Sequence, residues 1–244
     1  LEMPGDLAFK EVDTLHRARV DVAAIAISAD GKVTSGGQRA MELKLKPETR
    51  AHVQRHGMRT LSRLELAPGR YQVRIAAREE GQDVGGSVIH DVVVPEYGAM
   101  PVALSDLVLA SRNMAQAITT RPDPELKERL PLPPTASRDF DRRDALTVFA
   151  EVYDNRTKPL DPIELVTTVS DSAGTVMFRA QEKVEGSSFE PARKSWTHRL
   201  EIPLKDLAPG AYVLRVEARP TASLNSTVSR ELPFSVTLHS ETTP

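Results

Sequence analysis

A thirteen-residue segment occurs twice in this chain, and that duplication constrains the fold more than any other feature. Leu66-Ala67-Pro68-Gly69-Arg70-Tyr71-Gln72-Val73-Arg74-Ile75-Ala76-Ala77-Arg78 matches Leu207-Ala208-Pro209-Gly210-Ala211-Tyr212-Val213-Leu214-Arg215-Val216-Glu217-Ala218-Arg219. Eight of 13 positions are identical, and Val73/Leu214 and Ile75/Val216 are conservative. The copies lie 141 residues apart, far beyond the roughly 20–50-residue period of a solenoid, so a whole domain has been duplicated. The 244 residues suit two domains of ordinary size.

Each copy has a physical reading. Pro-Gly makes a tight turn, because proline fixes φ and glycine tolerates a positive one. The strand that follows alternates: Tyr71, Val73, Ile75 and Ala77 face one way, as do Tyr212, Leu214, Val216 and Ala218. Leu-x-Pro-Gly-x-Tyr resembles the tyrosine corner of immunoglobulin-like sandwiches, in which the phenol hydroxyl bonds backbone a few residues upstream. The corner residues are then Pro68, Gly69 and Tyr71, and Pro209, Gly210 and Tyr212. A hairpin with an incidental tyrosine is the plainer alternative.

Other segments agree. Val20–Ile27 and Leu146–Tyr153 read as strands closed by Asp30-Gly31 and Asp154-Asn155. Met41, Leu43 and Leu45 alternate with Glu42 and Lys44, and Gly86–Val94 reads as a strand ending at Pro95. In the second half Ile163–Val169, Thr175–Ala180, Trp196–Ile202 and Leu232–Leu238 alternate too. Short strands punctuated by Gly, Pro, Asp and Asn predict antiparallel sheets packed face to face. Pro47 suits the first helical position, Glu48 the positive end and Gly57 the C′ position, which predicts a short helix over Pro47–His56. The expected fold is all-β, two tandem immunoglobulin/fibronectin-III-like sandwiches with a short helix in the first. The expected domains are residues 1–98 and 99–244, joined at about Tyr97 to Val102. Val102–Ala110 is expected to open the second domain. The proline-rich connection from Ser111 to Arg143 is expected to cross that sandwich's surface, with a short helix at Pro124–Arg129.

Composition removes several functions. A net charge of −2 leaves no basic footprint for nucleic acid, and no apolar run approaches the roughly 18 residues of a membrane span. Zero cysteines exclude disulfides, thiolate metal sites and a cysteine nucleophile. The opening Leu1-Glu2-Met3 reads as residues ahead of a start or as a cut from a longer protein, and no signal peptide follows it. The polar tail Ser240–Pro244 is expected to fray.

Candidate chemistry is thin. His52 and His56, four apart on the predicted helix, could share a metal, but no His-Glu-x-x-His pattern or third ligand accompanies them. Glu151, Asp154, Asn155 and Asp161 put oxygen ligands near one strand end, as calcium requires, yet without EF-hand spacing, and a turn already explains Asp154-Asn155. Asp30-Gly31 and Asp171-Ser172-Ala173-Gly174 are turns by the same logic. No Gly-x-Ser-x-Gly, phosphate loop or convergent carboxylate pair is legible, so no cofactor, no metal and no enzyme activity is expected. Trp196, alternating with His198, Leu200 and Ile202, is expected in the core rather than as a sugar platform. Sandwich edges and the proline-rich connection are the places for protein contact, unless Lys and Arg there guard the edges.

Several segments together resemble the C-terminal part of bacterial VWFA-related-domain proteins, known mostly from Acidobacteria. They are Leu61 to Tyr71, Gly86-Ser87-Val88 through Tyr97, Leu104 to Leu109, Arg121-Pro122-Asp123, and Leu146 through Asn155. The resemblance covers roughly Val20 to His239. It implies an upstream von Willebrand A-type domain and an exported, extracellular or periplasmic protein. The Asp-x-Ser-x-Ser metal motif of that domain is absent, since Asp171-Ser172-Ala173 does not continue it, and no catalytic residue carries over. The expected function is a non-catalytic interaction or spacer module, monomeric or weakly oligomeric. The alternative is a carbohydrate- or other ligand-binding sandwich.

Overall fold

A computed structural model describes residues 1–82, 85–157, 161–221 and 226–238; the tail Ser240–Pro244 lies outside them. Seventeen strands and two α-helices are described. The chain runs β1 (Glu2–Met3), β2 (Lys10–Val12), β3 (Leu15–Ser28), β4 (Val33–Leu45), α1 (Pro47–His56), β5 (Met58–Arg59), β6 (Gly69–Glu79) and β7 (Gly85–Val94). Next come β8 (Val102–Leu104), β9 (Val108–Ser111), β10 (Ile118–Thr119), α2 (Pro124–Arg129), β11 (Asp139–Asp141) and β12 (Ala145–Asp154). The last five are β13 (Ile163–Asp171), β14 (Val176–Val184), β15 (Ser195–Pro203), β16 (Gly210–Pro220) and β17 (Val228–Thr237). The architecture is all-β.

Two compact units form. One comprises Leu1–Glu96 with Gln116–Arg129; the other comprises Tyr97–Ala115 and the chain from Leu130 on. The chain therefore passes between them three times.

The first unit has one large sheet. β3 is flanked by β4 on one side and by β2 and β6 on the other, with β7 beyond β6. Val20 and Val22 of β3 share a face with Met41 and Leu43 of β4, and these pack with Met3, Val53 and Met58 as the core. That face is covered by α1 and by a three-stranded sheet of two-residue strands, β1-β5-β10. The helix ends where glycine allows it: Gly57 has φ 73°, and its amide bonds Val53 O at 2.7 Å. A Cβ there would come within 2.7 Å of Met3 O. Opposite the five-stranded sheet the second layer is rudimentary, a ten-residue helix and three two-residue strands.

Residues 116–129 depart from expectation. They group with the first unit rather than the second. β10 pairs parallel with β5, and Thr120 N donates to Arg59 O at 2.8 Å. The expected helix forms as α2, with Asp123 Oδ1 accepting from Leu126 N at 3.1 Å. Asp123 is gripped in turn by Arg63, whose Nη2 and Nε reach its two carboxylate oxygens at 2.8 and 3.0 Å. Pairings across about 60 residues leave no periodic trace in sequence.

The second unit sets two sheets face to face, β11-β17-β16-β13-β14 and β15-β12-β8, with β9 also on β12. Leu146, Val148 and Val152 of one meet Leu165, Leu214 and Val216 of the other in one continuous core. Thr167 Oγ1 and His198 Nε2, 3.0 Å apart, link the sheets by a hydrogen bond. The expected single strand Val102–Ala110 is broken into β8 and β9. Both pair with β12, but at Ser105 the chain leaves the ladder, and Ser105 Oγ accepts from Glu151 N at 2.9 Å.

Candidate functional site

The oxygen-rich strand end is not a cation cage. Asp154, 4% exposed, faces Arg156, whose Nε and Nη2 donate to its two oxygens at 2.8 Å each. Arg156 Nη2 also donates to Asp161 O at 2.9 Å. The paired Asp154 carboxylate raises the Arg156 pKa, so a guanidinium stands where calcium was considered. Glu151 instead accepts from Tyr153 Oη. Asn155 turns its amide donor, not its oxygen, toward Tyr97 O and Met100 O at 2.7 and 2.9 Å. Asp154 and Asp161 thus share Arg156, while Glu151 and Asn155 bond elsewhere.

His52 and His56 do face each other, with ring centroids 4.6 Å apart. His52 Nε2 lies 2.8 Å from Gln116 O, and burial, then His52 and Arg55, lowers the His56 pKa. Among the described residues no group of three or more His, Cys, Asp or Glu could hold a metal. Trp196 is half-buried and packs against the second unit's core.

Both repeated tyrosines bond the backbone four residues upstream. Tyr71 Oη donates to Ala67 O at 3.0 Å and Tyr212 Oη to Ala208 O at 2.7 Å. These contacts tie each Pro-Gly turn to its strand.

β7 is an edge strand with exposed apolar side chains. It pairs with β6 along Gly85–Val94, and among the described residues no strand covers its other edge. Val88, Ile89 and Val93 are 59%, 59% and 61% exposed. By register Ile89 and Val93 lie on one face of the sheet and Val88 on the other. The strand carries His90 and Asp91 but no Lys, Arg or Pro. β14, the edge of the second unit's larger sheet, instead carries Arg179, Glu182 and Lys183, as guarded edges do. In sequence, Gly86–Val94 reads as a strand ending at Pro95. Nothing local signals that its outer neighbour is absent.

The fold and these surfaces define an all-β protein of two compact units. No family model matches the chain, and no curated protein matches it. Among solved structures it is similar to dimeric latent PorU from Porphyromonas gingivalis, with 11% identity and a TM-score of 0.29. The match covers 98% of this chain and 20% of that one, so the chain spans about a fifth of that protein's length. No helix among the described residues is long and apolar enough to cross a membrane.

Proposed function

We propose that the chain is a non-catalytic interaction module that takes up an extended segment of a partner protein along the β7 edge. The supporting observation is the contrast between edges: β14 sets Arg179, Glu182 and Lys183 after its exposed Val176 and Met177, whereas β7 carries no Lys or Arg and offers open backbone groups with Val88, Ile89 and Val93 exposed beside them. An added strand would gain main-chain hydrogen bonds for affinity and alternate side-chain contacts for specificity. Covering each exposed Val or Ile is worth about 1 kcal/mol.

The finer architecture belongs to the same reading. The second unit is taken as an immunoglobulin/fibronectin-III-like sandwich, and the first as a version of it with one sheet reduced. The motif resemblance to VWFA-related proteins adds a setting, an exported protein in which this region positions an A-type domain.

The test is a displayed library of short random peptides selected against the whole chain. Selected peptides are expected to bind the double variant Ile89→Lys, Val93→Lys at least about tenfold more weakly, and to slow amide exchange across Gly85–Val94. Both positions are exposed, so the melting curve should not move. Selected peptides that bind the variant equally well, or protect amides elsewhere, would overturn the reading.

A further inference from the structure

The inner face of the first unit's large sheet is filled unevenly. At one end Val20, Val22, Met41 and Leu43 carry the core. Along the same face Arg39 stands opposite Val22, and one rung further Gly37 stands opposite Ala24. A Cβ built on Gly37 would meet nothing within 4 Å. Residues 61–64 and 121–124 wall this stretch, leaving a cleft of about 450 Å³. That is the size of a small-ligand site.

Three guanidinium groups, of Arg39, Arg63 and Arg121, and one carboxylate, of Asp123, line the cleft. Arg63 is neutralised by Asp123 and by Glu125, to which its Nη1 donates at 2.8 Å. Arg39 is held but not neutralised. Its Nη2 donates to Thr60 Oγ1, Leu61 O and Ser62 Oγ at 2.7, 3.0 and 3.2 Å, all uncharged acceptors. Arg121 is exposed at the rim. Among the described residues no carboxylate pairs with Arg39 or Arg121. A fixed cation beside a side-chain-free floor, with a second cation at the mouth, suits a planar anion carried on a small body.

We propose that this cleft binds a small carboxylate-bearing ligand, with Arg39 as the fixed anchor and Arg121 closing over it. The carboxylate is the chemistry recognised; an acidic sugar and an acidic amino-acid residue both supply it. The site shares no residue with β7, so it stands or falls independently of the edge-strand reading.

The test is an amide-resolved NMR titration of the whole chain with three probes: glucuronate, N-acetylglutamate and, as a neutral control, glucose. Carboxylate probes are expected to shift amides of residues 36–39, 61–64 and 121–124, and glucose none of them. Tighter binding of glucuronate would assign an acidic sugar, and tighter binding of N-acetylglutamate an acidic residue. Arg121→Gln, at an exposed unpaired position, should weaken binding about tenfold. Gly37→Leu, which fills open space, should abolish it while the remaining amide spectrum is preserved. No saturable shift, equal shifts with glucose, or full binding by Gly37→Leu would each overturn the proposal.

Discussion

Tyr71 and Tyr212 sit in the same sequence context and make the same hydrogen bond, yet their surroundings differ. Tyr212 is 5% exposed and stacks on Phe234, with ring centroids 5.7 Å apart. Phe234 in turn meets Phe140 edge-on at 6.3 Å. Tyr71 is half-exposed, at the end of a sheet whose second layer is one short helix and three two-residue strands. The comparison separates local from tertiary determinants. A turn closed by a bond to the fourth residue upstream depends on its own few residues, so both copies keep it. Burial depends on what the rest of the chain brings across, and there the units part.

The sharpest way to break this comparison is to cut the strand after each corner. Leu214 is fully buried, and its counterpart Val73 is half-exposed. Leu214→Ala should cost about 3–4 kcal/mol through lost burial and a residual cavity, and Val73→Ala about 1 kcal/mol or less. Urea unfolding measures both, and equal losses would mean that the first unit is packed as tightly as the second.

Acid provides the next contrast. His198 is 3% exposed in the second unit, and burial pushes its pKa down to about 4 despite the Glu182 carboxylate 3.6 Å from Nδ1. Above the ordinary histidine value both folded and unfolded states are neutral there, and its contribution is complete. As pH falls from about 6.5 toward 4, the unfolded chain takes the proton first, so stability is lost across that window. A shift of this size corresponds to about 3 kcal/mol. Melting followed between those pH values should show the loss, and His198→Gln should flatten the profile; an unchanged profile would remove His198 as its cause.

The smallest effect sharpens the comparison most. Tyr212→Phe should cost about 1–1.5 kcal/mol by leaving Ala208 O short of a partner in a part-buried site, and Tyr71→Phe only a few tenths, because water can replace the lost donor at Ala67 O. Thermal melts of the two single variants decide it. Equal losses would make the hydrogen bond, rather than its surroundings, the source of the stabilisation.

Periodicity exposed the long elements. Strict alternation marked β6 and β16, and Pro47 with Gly57 bracketed α1, because these signals are local and each residue reports on its own backbone. Three features stayed hidden for one reason. The break at Ser105, the return of residues 116–129 to the first unit and the guanidinium of Arg156 between Asp154 and Asp161 all depend on partners that spacing cannot supply. The oxygen-rich strand end looked like a cation site because sequence counts acceptors and cannot see which donor reaches them. Gly86–Val94 was legible as a strand, but that it forms the sheet's outer edge was not, since no residue in it reports on a missing neighbour. Arg39 and Arg121 gave no signal as a pair, being far apart in sequence on elements of different kind.

The three passages of the chain between units carry a consequence for synthesis. Residues emerge from the ribosome in order, and domains generally fold as they appear. The first unit lacks β10 and the Asp123 that Arg63 grips until Arg129 is out. By then β8 and β9 have also emerged, while β12, the strand they pair with, is still to come. The nascent chain must therefore carry two unpaired strands of its second unit while it finishes the first, and a truncation at residue 98 removes β10, α2 and the partner of Arg63 from the first unit.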